Sequence, residues 1–360
     1  MWEDLKIALN KADKSQQKTK PGQDNLGFGV HFTDHMFLMK WDRQKGWYDA
    51  EICPYHEFTM DPAAMVYHYG QAIFEGLKAY RGKDDQIYLF RAKDNFKRMS
   101  RSAERMCMPR LPEEKVLKAL KSLLYLDRDW IPANNGATLY IRPTMIAVEP
   151  TLGVRPADQY YFYIIMSPVG AYYKEGFNPT KIHVTDKYVR AVRGGVGHVK
   201  TAGNYAASIM AAKEAMAEGY TQVLWLDACE RKYVEEVGTS NIFFYIGDKL
   251  ITPPLEGSIL AGITRDSVIN LTRSWGVETI ERQISIGEVI AACEEGLLQE
   301  AFGTGTAAVI SPVGELCYQN KRYVINGGET GELAQRLFDE LQKIQYGEKE
   351  DPFNWITKVG

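Results

Sequence analysis

Alternating and periodic apolar positions predict strands first and helices next in the N-terminal part of the chain. The segments HMFLMKWD and GWYDAEICPY flank a turn rich in Arg, Gln, Lys and Gly, which predicts a β-hairpin. A second hairpin is predicted around residues 82–85, and all of 27–80 has the pattern of strands. Phe96, Met99 and Ala103 then recur with a helical period, and PEEKVLKALKSLLYLDRDWI predicts a second helix. Two strand-like runs follow, ATLYIRPTMIAVEP and QYYFYIIMSPVG.

The second half of the chain mixes helices and strands without a strict strand–helix–strand repeat. A helix is predicted in NYAASIMAAKEAMAEG, and KYVEEVGTSNIFFYIGDKLITP predicts a hairpin that turns at residues 247–248. Further helices are predicted in TRDSVINLTRSW, SIGEVIAACEEG and ETGELAQRLFDELQKIQYG, and a strand broken by a loop in QEAFGTGTAAVISPVGEL. This mixture favours the α+β class. Because Pro and Gly concentrate near residues 166–180, we predict domains at 1–168 and 178–360, joined by a loop at 169–177.

Composition narrows the function classes. The chain has 360 residues, of which 45% are hydrophobic and 25% charged, and its net charge is -3. Without a dense Lys/Arg block, binding to nucleic acid or to an anionic membrane is not favoured. No run of 18 apolar residues predicts a membrane span, and no signal peptide is predicted. The five scattered cysteines form no C-x-x-C pair, so we expect no disulfide, no metal site and a cytoplasmic location.

Lys200 lies in GGVGHVKTAGNYAAS, among glycines and small residues. A lysine becomes a nucleophile when burial or a neighbouring cation lowers its pKa. The glycines would let the backbone approach a cofactor closely. Taken alone, the same pattern also fits a surface lysine in a flexible loop.

Three further motifs carry candidate chemistry. In EEVGTSN, a buried carboxylate at 235 or 236 would need a cationic partner, such as a protonated pyridine nitrogen; two exposed acids in a hairpin are the alternative. GSILAGITRDS leads into a helix and FGTGTAA carries Thr304 and Thr306, and such turns bind phosphates and carboxylates through backbone N–H groups. Neither fits a P-loop or a dinucleotide-binding pattern. Arg142, inside a strand-like run, indicates a carboxylate partner.

In combination, YGQAIFEGLKAY, GGVGHVKTAGNYAAS, EVGTSN and GSILAGITR resemble the branched-chain amino acid aminotransferases, which are fold-type IV pyridoxal-phosphate enzymes. The resemblance runs from about residue 28 to about residue 345. It implies a two-domain α+β fold with a small N-terminal α/β domain and a larger, barrel-like C-terminal domain that binds pyridoxal 5′-phosphate. It also implies ping-pong transamination of leucine, isoleucine and valine with 2-oxoglutarate.

The resemblance assigns roles to residues. Lys200 would bind the cofactor covalently and move protons, Glu236 would pair with the pyridinium nitrogen, and Tyr205 would bind the ring hydroxyl. Glu235 should then face the opposite side of its strand. The other implied cofactor residues are Arg98, Arg190, Leu260, Gly262, Ile263, Thr264 and Thr304. The implied substrate residues are Phe28, Phe74, Tyr140, Arg142, Tyr172, Thr239, Thr306 and Ala307, with Tyr69, Leu152 and Val154 supplied by the neighbouring subunit of a homodimer.

Alternatives of the same fold are a D-amino-acid aminotransferase and an aminodeoxychorismate lyase. A non-catalytic vitamin B6-binding protein is an alternative of another class, but it would lack Lys200 or Glu236. One departure from the family concerns residues 308–311, which read AVIS where some animal members carry C-x-x-C, so no thiol switch is predicted there. The preference among the three amino acids stays open.

Overall fold

The computed structural model describes residues 5–22, 26–133, 136–170 and 177–359. Contacts divide the chain into two units. The first contains Met1–Tyr172, Lys200–Ala202 and Lys343–Gly360, and the second contains Tyr173–Val199 and Gly203–Gln342, in their described parts. The predicted domain boundaries stay a prediction. The units depart from them at the two short segments 200–202 and 343–360, which group with the first unit.

The first unit is built on a sheet of nine strands among the described residues. Its strands are β1 (Ile7–Leu9), β2 (His35–Asp42), β3 (Gly46–Pro54), β4 (Ala72–Phe74), β5 (Leu77–Arg81), β6 (Ile87–Phe90), β7 (Thr138–Ala147), β8 (Gln159–Val169) and β18 (Ile356–Val359). The order is β1-β3-β2-β8-β7-β5-β6-β18. Strand β4 also pairs with β7, at residues 144–146, whereas β5 pairs with residues 139–141 of the same strand. The two hairpins predicted in this unit are confirmed, as the antiparallel pairs β2–β3 and β5–β6.

Helices cover the core of this sheet. They are α1 (Met65–Tyr69), α2 (Ala92–Arg105) and α3 (Glu113–Leu126), followed by a 3-10 helix at Arg128–Trp130. Phe96, Met99 and Ala103 are fully buried, which confirms the predicted apolar face of α2. The prediction of strands throughout 27–80 is wrong at α1. There Gly70 takes the left-handed conformation, with φ of 59°, and its N–H closes the helix on the carbonyl of Val66.

The second unit contains a closed ring of strands. Its strands are β9 (Thr180–Thr185), β10 (Gln222–Leu226), β11 (Val234–Val237), β12 (Ser240–Ile246), β13 (Lys249–Thr252), β14 (Glu278–Glu281), β15 (Leu298–Gly305), β16 (Val309–Tyr318) and β17 (Lys321–Val324). The pairings β11–β10–β9–β16–β15–β12 return to β11, so six strands close a barrel with an apolar core. This barrel-like unit confirms the expected α+β fold.

The remaining helices are α4 (Ala202–Ala206), α5 (Ile209–Ala217), α6 (Ile263–Ser274), α7 (Ile286–Glu294) and α8 (Glu332–Gln345), with a 3-10 helix at Asn326–Gly328. The prediction of a single helix from Asn204 onward is wrong, because the helix is interrupted between α4 and α5. At the break, the N–H and the hydroxyl of Ser208 both donate to the carbonyl of Tyr205, a local bond that competes with helical ones. Within the described ranges, no helix is long and apolar enough to cross a membrane.

Candidate active site

The segment that carries Lys200 is tied into the sheet of the first unit. Thr201 forms a bridge with Ile73, and the N–H of Phe74 donates to the carbonyl of Lys200 at 3.1 Å. The backbone N–H of Lys200 donates to the buried Ser102 hydroxyl at 3.0 Å. The side chain of Lys200 is half-buried, and its Nζ lies 4.9 Å from the centre of the Phe74 ring. These contacts contradict the alternative of a surface lysine in a flexible loop.

Next to Phe74, Glu75 forms a buried ion pair with Arg98. Nε of Arg98 lies 2.7 Å from Oε1 of Glu75, and Nη2 lies 2.8 Å from Oε2. Asn95 donates a further bond to Oε2. Burial by itself would raise the pKa of Glu75, but the charge and hydrogen bonds of Arg98, with the charge of Lys200, hold it below its usual value. Sequence reasoning missed Glu75. The available signal was an acid within the apolar run of YGQAIFEGLKAY.

Arg142 is held by aromatic residues of the same unit. Its Nη2 donates to the Tyr140 hydroxyl at 3.0 Å, and its guanidinium lies 4.6 Å from the centre of the Phe74 ring. The Phe28 ring lies 5.1 Å from that of Tyr140. A side chain at Gly76 would bring Cβ to 2.1 Å from the Tyr140 hydroxyl, so this arrangement requires glycine there. The structure therefore brings together four of the predicted substrate residues, while Tyr172 lies outside the described residues.

The three residues expected to serve a neighbouring subunit lie at the surface. Tyr69, Leu152 and Val154 are 38%, 65% and 85% exposed. The hydroxyl of Tyr69 donates to the carbonyl of Leu152. A partner molecule could therefore reach all three.

In the second unit, Glu235 and Glu236 on β11 are both buried. The alternative of two exposed acids is therefore wrong. Oε1 of Glu236 accepts a bond from the N–H of Leu260 at 2.7 Å and lies 3.3 Å from Nη2 of Arg190. Glu235 instead accepts a bond from the Ser258 hydroxyl. The two carboxylates line different cavities, as expected for adjacent residues of a strand.

One cavity of this unit collects several predicted cofactor residues. It is lined by Arg190, Val199, Asn204, Tyr205, Ser208, Glu236, Gly238, Thr239 and Leu260. Tyr205 and Glu236 therefore face a common space, as the resemblance implies. Arg190 was expected at a phosphate, and its Nη2 lies beside Glu236 and donates to the carbonyls of Gly197 and Ser258.

The two turns predicted to bind anions lie at the start of a helix and at the end of a strand, and their binding of anions stays a prediction. Gly262 is the N-cap of α6, and Ile263 and Thr264 form its buried first turn. A Cβ at Gly262 would lie 2.0 Å from Oδ1 of Asn241, so the close approach requires glycine. Thr304 is buried at the end of β15, and its hydroxyl has no hydrogen-bond partner among the described residues.

The loop that follows β15 is more exposed to solvent than Thr304 at the end of that strand. Thr306 and Ala307 are half-buried in the loop that joins β15 to β16. Their backbone is thus near Thr304 in the chain and partly accessible, as a carboxylate-binding loop must be. No group of three or more His, Cys, Asp or Glu side chains in the described ranges is arranged to hold a metal ion.

Comparison with known proteins agrees with the fold and with these motifs. Residues 72–316 match the family model of amino-transferase class IV. Branched-chain-amino-acid aminotransferase 2 of Bacillus subtilis (strain 168) is 56% identical over 345 residues, covering 96% of this chain and 95% of that protein. The chain therefore belongs to the class IV aminotransferases and, within them, to the branched-chain-amino-acid aminotransferases.

Solved structures lead to the same family. The branched-chain amino acid aminotransferase of Escherichia coli superimposes with a TM-score of 0.78 at 25% identity, covering 91% of this chain and 99% of that one. Another branched-chain amino acid aminotransferase, solved as a complex with N-(5′-phosphopyridoxyl)-L-glutamate, gives a TM-score of 0.74 at 26% identity, covering 89% of this chain and 98% of that one.

Proposed function

We propose that this protein transfers the amino group of leucine, isoleucine or valine to 2-oxoglutarate, with pyridoxal 5′-phosphate as its cofactor. The observation that carries the proposal is Glu236, a buried carboxylate that shares a cavity with Tyr205 in a chain 56% identical to a branched-chain-amino-acid aminotransferase. A buried carboxylate at this place suits a ring with a protonated nitrogen.

The residues present also fit the phosphate group of this cofactor. The buried Thr304 hydroxyl, without a partner among the residues described, is a donor ready for an anion. The N-terminus of α6 begins at Gly262, and helix N-termini favour phosphate. A solved relative described as a complex with N-(5′-phosphopyridoxyl)-L-glutamate supports the same cofactor. When bound, the cofactor supplies a ring that withdraws electrons from the substrate Cα.

Lys200 is proposed as the acid–base residue. Its amine would bind the cofactor between turnovers and, once released, would take the proton from the substrate Cα and deliver it to the C4′ carbon of the cofactor, with the reverse transfer in the second half-reaction. The hydrogen bonds of its backbone to Ser102 and Phe74 restrict where this amine can reach. The Phe74 ring, 4.9 Å from Nζ, gives the amine an apolar neighbour on one side.

Glu236 is proposed to hold a proton on the ring nitrogen, and Tyr205 to donate or accept a hydrogen bond at the ring hydroxyl. The bond from the Leu260 N–H fixes Oε1 of Glu236. Leu260 would pack on the ring. Arg98, Arg190, Gly262, Ile263, Thr264 and Thr304 are proposed to bind the phosphate.

The substrate pocket is proposed to combine apolar walls with one carboxylate clamp. Phe28, Phe74, Tyr140 and Thr239, with Tyr172, would contact the branched side chain. Arg142 would bind the second carboxylate of glutamate, and the N–H groups of Thr306 and Ala307 the α-carboxylate. The Tyr140 hydroxyl and the Phe74 ring orient the Arg142 guanidinium in advance, which reduces the entropy lost on binding.

We further propose a homodimer that works in the cytoplasm. The exposed side chains of Tyr69, Leu152 and Val154 support a role in the site of a partner copy. All five cysteines, each in the described part of the chain, are free thiols, which suits a reducing compartment. Light scattering during gel filtration would test the dimer, and a monomer would contradict it.

The experiment that tests the function is a visible absorbance spectrum of the purified protein reconstituted with pyridoxal 5′-phosphate. We expect a band that falls on addition of L-leucine and returns on addition of 2-oxoglutarate. D-Leucine and D-alanine are the control substrates. A protein that takes up no cofactor, or that responds only to the D-amino acids, would exclude the proposed activity.

A further inference from the structure

Glu235 is a second buried carboxylate that the proposed chemistry does not use. It is 6% exposed and follows Val234 on the barrel strand β11, directly before Glu236. Its side chain points to a cavity of about 360 Å³ that Glu236 does not line. Burial raises the pKa of Glu235, an effect that the bond from Ser258 and the charge of Arg190 oppose. Burying a carboxylate lowers the stability of the fold unless it is hydrogen-bonded, so the contacts of Glu235 indicate a specific role.

Glu235 and Glu236 both accept hydrogen bonds from the same short segment, residues 258–260. The Ser258 hydroxyl donates to Oε1 of Glu235. Two residues further on, the N–H of Leu260 donates to Oε1 of Glu236 at 2.7 Å. Segment 258–260 is therefore hydrogen-bonded to carboxylates on both faces of β11. The Ser258 side chain binds Glu235 on one face, and the Leu260 backbone binds Glu236 on the other.

Arg190 contacts both Ser258 and Glu236. Its Nη2 donates to the carbonyl of Ser258 and lies 3.3 Å from Oε1 of Glu236. A shift of Ser258 would move this guanidinium relative to the Glu236 carboxylate. The backbone around Ser258 is tightly packed, since a Cβ at Gly197 would lie 2.3 Å from its carbonyl oxygen. The position of Ser258 thus affects Leu260 and Arg190, which both contact Glu236.

We propose that Glu235 is a positioning residue for Glu236, acting through Ser258 to hold the segment that places Leu260 and Arg190 against the Glu236 carboxylate. The proposal rests on the proposed function in one respect, namely that Glu236 meets the cofactor ring. Glu235 itself touches neither cofactor nor substrate.

The test compares Glu235→Leu, Ser258→Ala and Glu235→Gln with Glu230→Leu as the matched control. Glu230 is an exposed acid that lines the same cavity and whose side chain takes no part in these bonds. Glutamine keeps an acceptor for the Ser258 hydroxyl, whereas leucine removes it. We expect Glu235→Leu and Ser258→Ala each to weaken binding of pyridoxal 5′-phosphate about 5- to 10-fold, the scale of one typical hydrogen bond. Glu235→Gln and Glu230→Leu should bind within about 2-fold of the wild type.

Two double variants separate positioning from a general loss of structure. Glu235→Leu with Ser258→Ala should bind the cofactor no more weakly than either single variant, because both remove one bond. In a Glu236→Gln background, Glu235→Leu should no longer change cofactor affinity. Equal losses from Glu235→Leu in both backgrounds would overturn the proposal, as would wild-type affinity in Glu235→Leu.

A measurement without cofactor keeps this inference distinct from the proposed function. In urea unfolding of the apoprotein, the midpoint shifts of Glu235→Leu and Glu236→Gln should be non-additive, because both act on segment 258–260. Additive shifts would overturn the proposal. If the wild type binds no pyridoxal 5′-phosphate, the proposed function fails, while these midpoints still decide whether the two glutamates are coupled.

Discussion

Arg98 and Glu75 form a two-point ion pair that is almost completely removed from water. The two N···O distances are 2.7 and 2.8 Å, and the two side chains are 6% and 0% exposed. A buried charge without its partner is strongly unfavourable, so each residue depends on the other. Arg98 is one of the residues proposed to bind the cofactor phosphate, and Glu75 holds its guanidinium at two points.

Glu75→Gln should destabilise the protein by about 3–5 kcal/mol at neutral pH, because it leaves the Arg98 charge buried without a counter-charge. Urea unfolding of the apoprotein measures this. Glu114→Gln, an exposed acid on α3, is the control and should change stability by less than about 0.5 kcal/mol. Equal stability of Glu75→Gln and wild type would mean that the ion pair does not hold Arg98 in place.

The pH dependence of stability follows from the same pair. Because the pKa of Glu75 is held below its usual value of 4.5 in the folded protein, its contribution is complete above that value. The contribution is lost as the pH falls through the lowered folded pKa. The difference in unfolding free energy between wild type and Glu75→Gln should therefore be constant near neutrality and shrink below pH 4.5. A difference that grows on acidification would contradict the sign.

Lys200→Ala should lower turnover by at least about 100-fold, because no other amine replaces its proton transfer. Turnover of leucine with 2-oxoglutarate measures the effect, and circular dichroism checks the fold. Lys213→Ala, an exposed lysine on α5, should retain the wild-type rate. Near-normal turnover of Lys200→Ala would exclude it as the catalytic amine.

Glu236→Gln should lower turnover by about 100-fold or more, because an amide does not stabilise a proton on the ring nitrogen. Glu235→Gln should stay within a few-fold of the wild type, since the side chain of Glu235 lines the other cavity. Parallel assays of the two variants decide the point. A larger loss in Glu235→Gln would contradict this assignment and would place the ring nitrogen on the face of β11 that carries Glu235.

Arg142→Ala should reduce kcat/KM for glutamate about 10- to 100-fold more than for leucine, because only glutamate has a second carboxylate to lose its charged hydrogen bond. Measuring both amino donors with the same oxo acid gives the ratio. Equal losses with both donors would make Arg142 a structural support of Tyr140 and Phe74, which it contacts.

Local patterns in the sequence were sufficient for most elements and for the reactive motifs. Hairpins and helices of the expected period are found as β2–β3, β5–β6 and α2, because apolar spacing and turn residues act over a few positions. Alternation along a strand likewise separates Glu235 from Glu236 correctly. The predictions fail where a hydrogen bond between residues close in the chain overrides the apolar spacing, as at Ser208 and Gly70.

The sequence by itself determined the family, the α+β class and the candidate roles of Lys200 and Glu236, since these depend on residue type and short spacing. Only the tertiary structure decided which charges meet. Glu75 pairs with Arg98, Arg190 lies beside Glu236, and Ser258 reaches Glu235. These partners are 23, 46 and 23 positions apart in the chain. Their proximity depends on the register of strands and on ring closure, which are long-range properties that no local pattern encodes.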